Sequence, residues 1–194
     1  ENGVKIGLWK SFYPDGQIYS IGEYHLDVKT GNWKYFNKIG ILIAEGAYKL
    51  GSEHGQWFYY YDGGQLKSVG SYFLGMEDGK WGLFYDNKQL TQEETWDNGR
   101  LMSVGEYYTY DGSNTLDPGT LKSGEGSRIT YYINGTKESE GQYKFGKPDG
   151  EWLSYYDNGQ LGVKQTFVNG ILEGPYLEYS PYGQLVVETT YRNG

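Results

Sequence analysis

The fold of this chain is decided by the stretch Gly55-Gln56-Trp57-Phe58-Tyr59-Tyr60-Tyr61-Asp62-Gly63-Gly64-Gln65-Leu66-Lys67-Ser68-Val69-Gly70-Ser71-Tyr72, which recurs with variations along most of the sequence. Each repeat opens with a glycine, and these glycines are spaced by 24 residues within two runs. The runs are Gly7, Gly31, Gly55 and Gly79, then Gly126, Gly150 and Gly174. A fixed period of this length is typical of repeat arrays, in which one small structural unit is used many times.

Three other positions recur together with the opening glycine. Two residues after it stand Trp9, Trp33, Trp57, Trp81 and Trp152, with Arg128 and Tyr176 in the two remaining repeats. Fifteen residues after it stand Gly22, Gly46 and Gly70, whereas Glu94 takes this place in the fourth repeat. Seventeen residues after it stand Tyr24, Tyr48, Tyr72, Trp96, Tyr143, Phe167 and Tyr191. We interpret these as the structural positions of the repeat.

The middle of most repeats contains a turn signal such as Asp15-Gly16, Asn134-Gly135 or Asn158-Gly159. These dipeptides, flanked by aromatic and β-branched residues, favour a type I′ hairpin turn. With such a turn at Asp15-Gly16, counting outward places Tyr13 opposite Ile18. The same count pairs Trp9 with Gly22, Trp33 with Gly46 and Trp57 with Gly70. Each ring could then cover the bare backbone of the glycine opposite it, so Gly70→Val is expected to crowd Trp57.

The alternation of side chains along a strand assigns residues to two faces. The face with the tryptophans is predicted to form the core, together with the aromatic residues seventeen places after each opening glycine. We also assign to it the column Ile18, Leu42, Leu66, Leu90, Leu161 and Leu185. The other face, here called the second face, carries Phe12, Phe36 and Tyr60 among charged residues such as Lys34 and Glu45, and is expected to be half exposed.

The spacing predicts repeats that start near residues 7, 31, 55, 79, 103, 126, 150 and 174. The repeat at 103–125 is degenerate, and residues 111–119 within it are interpreted as a loop. We favour a decayed repeat over a functional loop here. Residues 1–194 are therefore predicted to form a single all-β domain, an elongated antiparallel meander of about eight 24-residue β-hairpins in a single-layer twisted sheet without helices.

Composition excludes several classes of function. The net charge of −8 argues against nucleic acid as a partner and against adsorption to an anionic membrane. Because the chain has no cysteine, it forms neither disulfides nor thiolate metal sites. The longest apolar run, residues 40–44, is too short to span a bilayer.

The two ends of the sequence both fall inside the turn between repeats. The first residue is Glu1 and not methionine, which indicates a processed or trimmed chain and favours an extracytoplasmic location over a cytoplasmic one. Terminal repeats of arrays normally carry polar caps, and none is visible here. We therefore expect exposed terminal strands and end-to-end self-association.

The pattern Gly-x-Trp-x-x-Tyr-Tyr-x-Asn-Gly-x-Leu, followed by Gly-x-Tyr, resembles the MORN-repeat family. Residues 150–161 and Gly141-Gln142-Tyr143 carry the resemblance most clearly. It is most similar to the variant MORN repeats of bacterial proteins described as antitoxin components of toxin–antitoxin systems. The resemblance implies a meandering sheet of hairpins that serves as a scaffold or binding platform.

No catalytic, cofactor or metal site is predicted. His25 and His54 lack spaced partners for zinc and are interpreted as surface residues. Asp111, Ser113, Asn114 and Asp117 offer oxygen ligands, but not at the spacing of an EF-hand. We expect a non-enzymatic scaffold that binds a protein. The alternative is a protein that binds cell-wall glycan through exposed aromatic ladders, which would show as a regular line of flat, solvent-facing rings.

Overall fold

A computed structural model describes residues 3–194, and every regular element in them is a β-strand. The chain divides into two compact units, one of residues 1–90 and 96–99, the other of residues 91–95 and 100–194. The strands of the first unit are β1 Gly7–Phe12, β2 Ile18–His25, β3 Val28–Phe36, β4 Leu42–Lys49, β5 Ser52–Tyr60, β6 Leu66–Phe73 and β7 Met76–Phe84. Strand β8, Leu90–Asp97, contributes residues to both units.

The second unit continues with two groups of strands. The first group is short and covers most of the degenerate repeat: β9 Arg100–Val104, β10 Tyr107–Tyr108 and β11 Thr115–Leu116. The second group is regular: β12 Gly126–Tyr131, β13 Lys137–Lys144, β14 Lys147–Tyr155, β15 Leu161–Val168, β16 Ile171–Tyr179 and β17 Leu185–Tyr191.

Neighbouring strands pair in chain order throughout each regular stretch. In the first unit, β1 to β6 each form an antiparallel pair with the next strand. In the second unit, β12 to β17 form a six-stranded antiparallel sheet in the same way. The prediction of an all-β antiparallel meander of hairpins is therefore confirmed.

The turn inside each repeat differs from the type I′ turn that the sequence predicts. In the first hairpin, the Gly16 N–H donates to the Tyr13 carbonyl at 2.9 Å and the Tyr13 N–H donates to the Gln17 carbonyl at 2.8 Å. Gly16 has a φ of +88°, but Asp15 lies outside the left-handed region. The loop is thus a three-residue type I turn that ends in a left-handed glycine. Pro14 favours this geometry, because its ring fixes φ near −65°.

A β-bulge next to this turn corrects the predicted faces. Phe12 pairs with Ile18 and Ser11 pairs with Ser20, so Tyr19 is an extra residue of β2 that has no paired residue on β1. Directly paired residues point to the same face of a sheet. The aliphatic column therefore lies on the second face and not, as predicted, with the tryptophans. The same register shift pairs Phe36 with Leu42, Tyr60 with Leu66, Tyr155 with Leu161 and Tyr179 with Leu185.

The type I′ geometry occurs instead in the turns between repeats. Lys49 pairs with Ser52, and the two residues between them, Leu50 and Gly51, have φ values of +53° and +83°. Backbone hydrogen bonds join successive repeats along one side of the first unit. In each bond, the glycine of a turn between repeats donates its N–H to a carbonyl near the start of the strand that follows the preceding turn. These bonds run from Gly51 to Lys29, from Gly75 to Glu53 and from Gly99 to Glu77, at 3.2, 2.8 and 2.9 Å.

Where an opening glycine lies opposite a preceding strand, it lies in a second bulge. In the third repeat, Gly46 pairs with Trp57 and Ala47 pairs with His54, so that Gly55 and Gln56 are extra residues of β5. Gly55 has a φ of +71°, and all seven opening glycines have a positive φ. Other residues adopt a positive φ only with strain. The backbone therefore favours glycine at the start of every repeat, which explains the regular spacing of the opening glycines.

We expect Leu50→Asn to stabilise the protein. Leu50 is 79% exposed and left-handed, so the change removes strain and loses little apolar burial. Asparagine is a preferred residue at the first central position of a type I′ turn, and the expected gain in unfolding free energy is about 0.5–2 kcal/mol. Urea denaturation measures it. The matched control is Asn169→Leu at the equivalent turn of the second unit, which should lower stability, and equal stability of all three proteins would contradict the explanation.

Candidate functional site

The tryptophan face is closed by rings that lie over glycines. Trp57 pairs with Gly46 on one side and Gly70 on the other. A Cβ atom on Gly46 would overlap the indole of Trp57, whereas one on Gly70 would overlap the indole of Trp81. Each ring therefore covers the glycine of the preceding repeat and not its hairpin partner. The expectation that Gly70→Val crowds Trp57 is corrected: the ring that it would crowd is that of Trp81.

Tyrosines seal the edges of these rings. Tyr48 meets Trp57 edge-on, with ring centroids 5.2 Å apart and an interplanar angle of 89°. The Trp57 Nε1–H donates to the Ala47 carbonyl at 3.0 Å, which satisfies the polar atom of the indole. The hydroxyls of Tyr35 and Tyr48 lie 3.0 Å apart. Burial, followed by the hydrogen bond to Tyr35, raises the pKa of Tyr48 well above its ordinary value.

Burial of the tryptophans removes the platform that glycan binding requires. In the first unit Trp33, Trp57 and Trp81 are 3%, 2% and 7% exposed. Sugars stack on accessible ring faces, and these faces contact neighbouring protein atoms instead. Trp9 on strand β1 differs, since 41% of it is exposed. In the second unit Trp152 lies over Gly141 in the same way, between Tyr143 and Phe167.

Two departures from the repeat pattern come together in the second unit. Arg128, which replaces a tryptophan, forms an ion pair with Glu94, which replaces a glycine. Both side chains are largely buried. Each departure is visible in the sequence, since Arg128 stands two residues after one opening glycine and Glu94 stands fifteen residues after another. Their pairing was not predicted, because the degenerate repeat separates the two residues along the chain.

The second face carries a recurring cluster of a tyrosine, a glutamate and a lysine. In the first unit, the Tyr60 hydroxyl donates to Glu45 Oε1 at 2.9 Å, and Lys34 Nζ lies 3.2 Å from Glu45 Oε2. In the second unit, the Tyr155 hydroxyl donates to Glu140 Oε1 at 2.5 Å and Lys137 lies 2.8 Å from the same carboxylate. In both clusters the glutamate therefore accepts a hydrogen bond from the tyrosine and forms an ion pair with the lysine.

A groove of about 680 Å³ runs beside this cluster in the first unit. It lies where Gly55 and Gln56 bulge from β5. Its lining is Asn32, Trp33, Lys34, Glu45, Gly46, Ala47, His54, Gly55, Gln56 and Phe58. The groove thus combines an apolar floor with both signs of charge, which suits a peptide chain better than a purely apolar ligand.

His54 gives this groove a free polar atom. Its Nδ1 is buried and has no hydrogen-bond partner among residues 3–194. The His54 side chain as a whole is half-buried in the lining of the groove, whereas His25 is exposed as expected. Unpaired buried polar atoms are uncommon in proteins and often mark a place where a further group binds.

An equivalent groove of about 350 Å³ occurs in the second unit. Its lining is Ser127, Ile129, Glu140, Gly141, Gln142, Glu151 and Leu153, the same repeat positions as in the first unit. It contains no histidine and no aromatic ring. The larger groove of the first unit is accordingly the candidate site.

The loop of the degenerate repeat has a different organisation. Asp111 accepts hydrogen bonds from the Thr109 hydroxyl, the Ser113 N–H and the Ser113 hydroxyl at 2.7, 3.1 and 2.8 Å. These bonds, with that of Thr109 first, lower the pKa of Asp111 to about 2. The Asp111 carboxylate therefore accepts its hydrogen bonds from residues of its own loop. In residues 3–194 no group of three histidine or acidic side chains is placed to hold a metal ion.

Comparison with known families finds a match in part of the chain. Four segments match the MORN repeat variant. They are residues 5–25, 53–73, 148–169 and 172–193, so matches to MORN repeats occur in both compact units. No curated protein matches this chain. The part of the chain that the structure describes contains no apolar helix of the length that a membrane crossing needs.

Solved structures with similarity to this chain are distant. One is the E1021V mutant of the TCP10 domain of Danio rerio CPAP, with 17% identity, coverage of 94% of this chain and 99% of that chain, and a TM-score of 0.28. The wild-type domain in complex with a peptide of Danio rerio STIL has 14% identity, coverage of 95% and 100%, and a TM-score of 0.19. A TcdB2-TccC3-Cdc42 structure has 13% identity, coverage of 93% and 11%, and a TM-score of 0.19.

The arrangement of rings over glycines predicts a specific energetic coupling. Gly70→Ala should lower the free energy of unfolding by about 1–3 kcal/mol, because the added methyl group overlaps the buried indole of Trp81. In a Trp81→Leu background the same change should cost less, whereas in a Trp57→Leu background it should cost the full amount. Urea denaturation of the six proteins gives both couplings. If Gly70→Ala were coupled to Trp57 and not to Trp81, the ring that covers Gly70 would be that of its hairpin partner Trp57, which would contradict the explanation.

The tyrosine–glutamate pairs predict a loss of stability at alkaline pH. Burial and then the hydrogen bond to Glu45 raise the pKa of Tyr60 from 10.0 to about 12, and burial and Glu140 do the same for Tyr155. The unfolded chain then ionises first, so the stabilisation is complete below pH 10 and is lost as the pH rises to about 12. NMR titration of ring-labelled tyrosine measures the two pKa values. Glu45→Gln should lower the pKa of Tyr60 and leave that of Tyr155 unchanged.

Proposed function

We propose that this chain is a non-enzymatic scaffold that binds a protein partner through the second face of its first compact unit. The groove beside Lys34, Glu45 and Phe58 carries this proposal. It is open to solvent, has mixed charge and apolar lining, and includes His54, whose Nδ1 is buried without a hydrogen-bond partner among the described residues. A polypeptide supplies backbone donors and acceptors together with side chains, which are the groups that such a lining can bind.

The exposed apolar residues of the second face support a protein partner over a glycan. Phe12 is 58% exposed and Leu8 is 66% exposed, and both lie on β1. Interfaces between proteins combine apolar contacts of this kind with a polar rim. A glycan would favour accessible tryptophan faces, and those of Trp33, Trp57 and Trp81 are buried. The MORN-repeat matches support a scaffold of repeated hairpins but name no partner.

An antitoxin-like role is the finer form of this proposal. In that form the bound protein is a toxin, and the groove holds it in an inactive complex. Growth of cells that express the product of the neighbouring gene, with and without this chain, tests it. Rescue of growth supports the antitoxin-like role. Absence of toxicity or of rescue rejects the antitoxin-like role. It does not reject the binding of another protein partner in the groove.

Binding to the groove is tested with a matched pair of charge substitutions. Gln56→Arg places a bulky cation in the groove of the first unit, and Gln142→Arg places the same cation in the corresponding groove of the second unit. Both glutamines are exposed, so neither change removes a core contact. With a partner identified by affinity capture and then purified, Gln56→Arg should weaken binding by about tenfold or more, whereas Gln142→Arg should not.

Two results would contradict the proposal. One is equal binding of the partner by the Gln56→Arg variant and the unchanged chain, which would place the interface elsewhere. The other is the absence of any specifically captured protein together with binding on a glycan array, which would favour the carbohydrate alternative.

A further inference from the structure

Three successive turns between repeats of the first unit carry leucine at their first central position. They are Leu26, Leu50 and Leu74, with φ values of +51°, +53° and +50°. Leucine adopts this left-handed conformation only with strain, whereas asparagine adopts it readily and takes the same place in two other turns, as Asn98 and Asn169. The leucines are also 59%, 79% and 40% exposed. Neither backbone geometry nor packing within the hairpins therefore explains them.

These leucines belong to a row of exposed apolar residues along one side of the first unit. We call this row the turn ridge, and its residues are Leu26, Val28, Leu50, Phe73, Leu74 and Met76. A Cβ on Gly51 would lie 3.4 Å from a side-chain carbon of Val28, so one turn reaches the next. A further repeat would lengthen the ridge and would not cover it, because repeats follow one another along it. Exposed apolar patches of this kind mark interaction sites.

The turn ridge continues into the groove of the second face. Tyr72 meets Trp57 edge-on within the tryptophan face, so its neighbour Phe73 points to the second face. The ring of Phe73 lies 5.8 Å from that of His54, measured between ring centroids, and His54 lines the groove. The ridge and the groove are thus parts of one continuous surface.

The backbone of the turn ridge favours a helix over an extended strand as the bound element. The N–H groups of Gly51 and Gly75 already donate to the preceding repeat, so they are not available to an added strand. A helix satisfies its own backbone groups and offers only side chains to its partner. Successive turns are two strands apart, about 9.6 Å at the usual strand spacing. The apolar stripe of a helix recurs every seven residues, at about 10.5 Å, which matches that interval.

Carboxylates beside the turn ridge favour a basic helix. Glu53 and Glu77 stand three residues after the second and third of the turn leucines. Neither glutamate forms an ion pair within residues 3–194. The residue at the same place after the first leucine, Lys29, is already engaged, since its Nζ donates to the Tyr35 hydroxyl at 2.8 Å. Lysine or arginine side chains of a bound helix would therefore be attracted to the side of the ridge that carries the glutamates.

We infer that the turn ridge binds an amphipathic α-helix of a partner protein, with the apolar stripe of the helix on the turn leucines and its basic residues toward Glu53 and Glu77. This rests on the proposed function as a protein-binding scaffold and adds a second recognition surface beside the groove. The leucines then serve binding at the expense of stability, because they become buried only in the complex.

A synthetic peptide of three heptads tests the helix as the occupant. It has leucine at the first and fourth places of each heptad, lysine along one flank and alanine elsewhere. Calorimetric titration of the complete protein should show binding. A peptide of the same composition with its leucines spread around the helix should bind about tenfold more weakly or not at all, as should a peptide with glutamate in place of lysine. Glu53→Gln combined with Glu77→Gln should weaken binding of the first peptide.

A triple variant of the protein locates the binding. Leu26→Asn, Leu50→Asn and Leu74→Asn together should weaken binding of the first peptide by about tenfold or more. Urea denaturation should show the triple variant to be at least as stable as the unchanged chain, so that unfolding is not the cause of the loss. The matched control is Phe145→Asn, which removes an exposed apolar residue from the equivalent left-handed position of the second unit and should leave binding unchanged.

Four results would overturn the inference. Two are equal binding of both lysine peptides and equal binding by the triple variant. The third is adsorption of the unchanged chain, but not of the triple variant, to phosphatidylcholine vesicles, which would make the ridge a membrane surface. The fourth is a dimer in light scattering that the triple variant dissociates, which would make a second copy the occupant. Gln56→Arg in the groove should leave peptide binding unchanged, so different variants test this inference and the proposed function.

Discussion

The contact between a tryptophan ring and a glycine on the preceding strand is the constraint on which both compact units depend. A sheet of hairpins has no second layer to bury its rings, so each indole must find its cover within the same face. A glycine lets the indole lie flat on the backbone, and the tyrosines on either side close its edges. Trp57 is 2% exposed under these conditions, although it lies on one sheet alone.

This constraint also explains the two kinds of turn. The link between repeats must return the chain with a tight two-residue turn, and the left-handed pair Leu50 and Gly51 does this. The link inside a repeat takes three residues and compensates with a bulge at Tyr19. Together with the bulge at each opening glycine, these features bring a ring over a glycine once in every period.

Much of this architecture could be predicted from the sequence, because period and register follow from counting. Trp57 does lie opposite Gly70, although the counted turn was wrong, since the extra residue of the real loop is taken up by the bulge. The same bulge reverses the face of Ile18, which no count from a two-residue turn reveals. The groove could not be predicted either. It forms across β3, β4 and β5, and the pairing of β4 with β5 depends on how one repeat lies against the next.

Use of the tryptophan face for internal packing decides where binding can occur. Its rings, indole nitrogens and phenol hydroxyls already have partners in the first unit, so a ligand there would have to displace them. The second face retains an open groove with an unpaired histidine nitrogen. A partner can therefore bind in the groove of the second face without displacing the rings that close the tryptophan face.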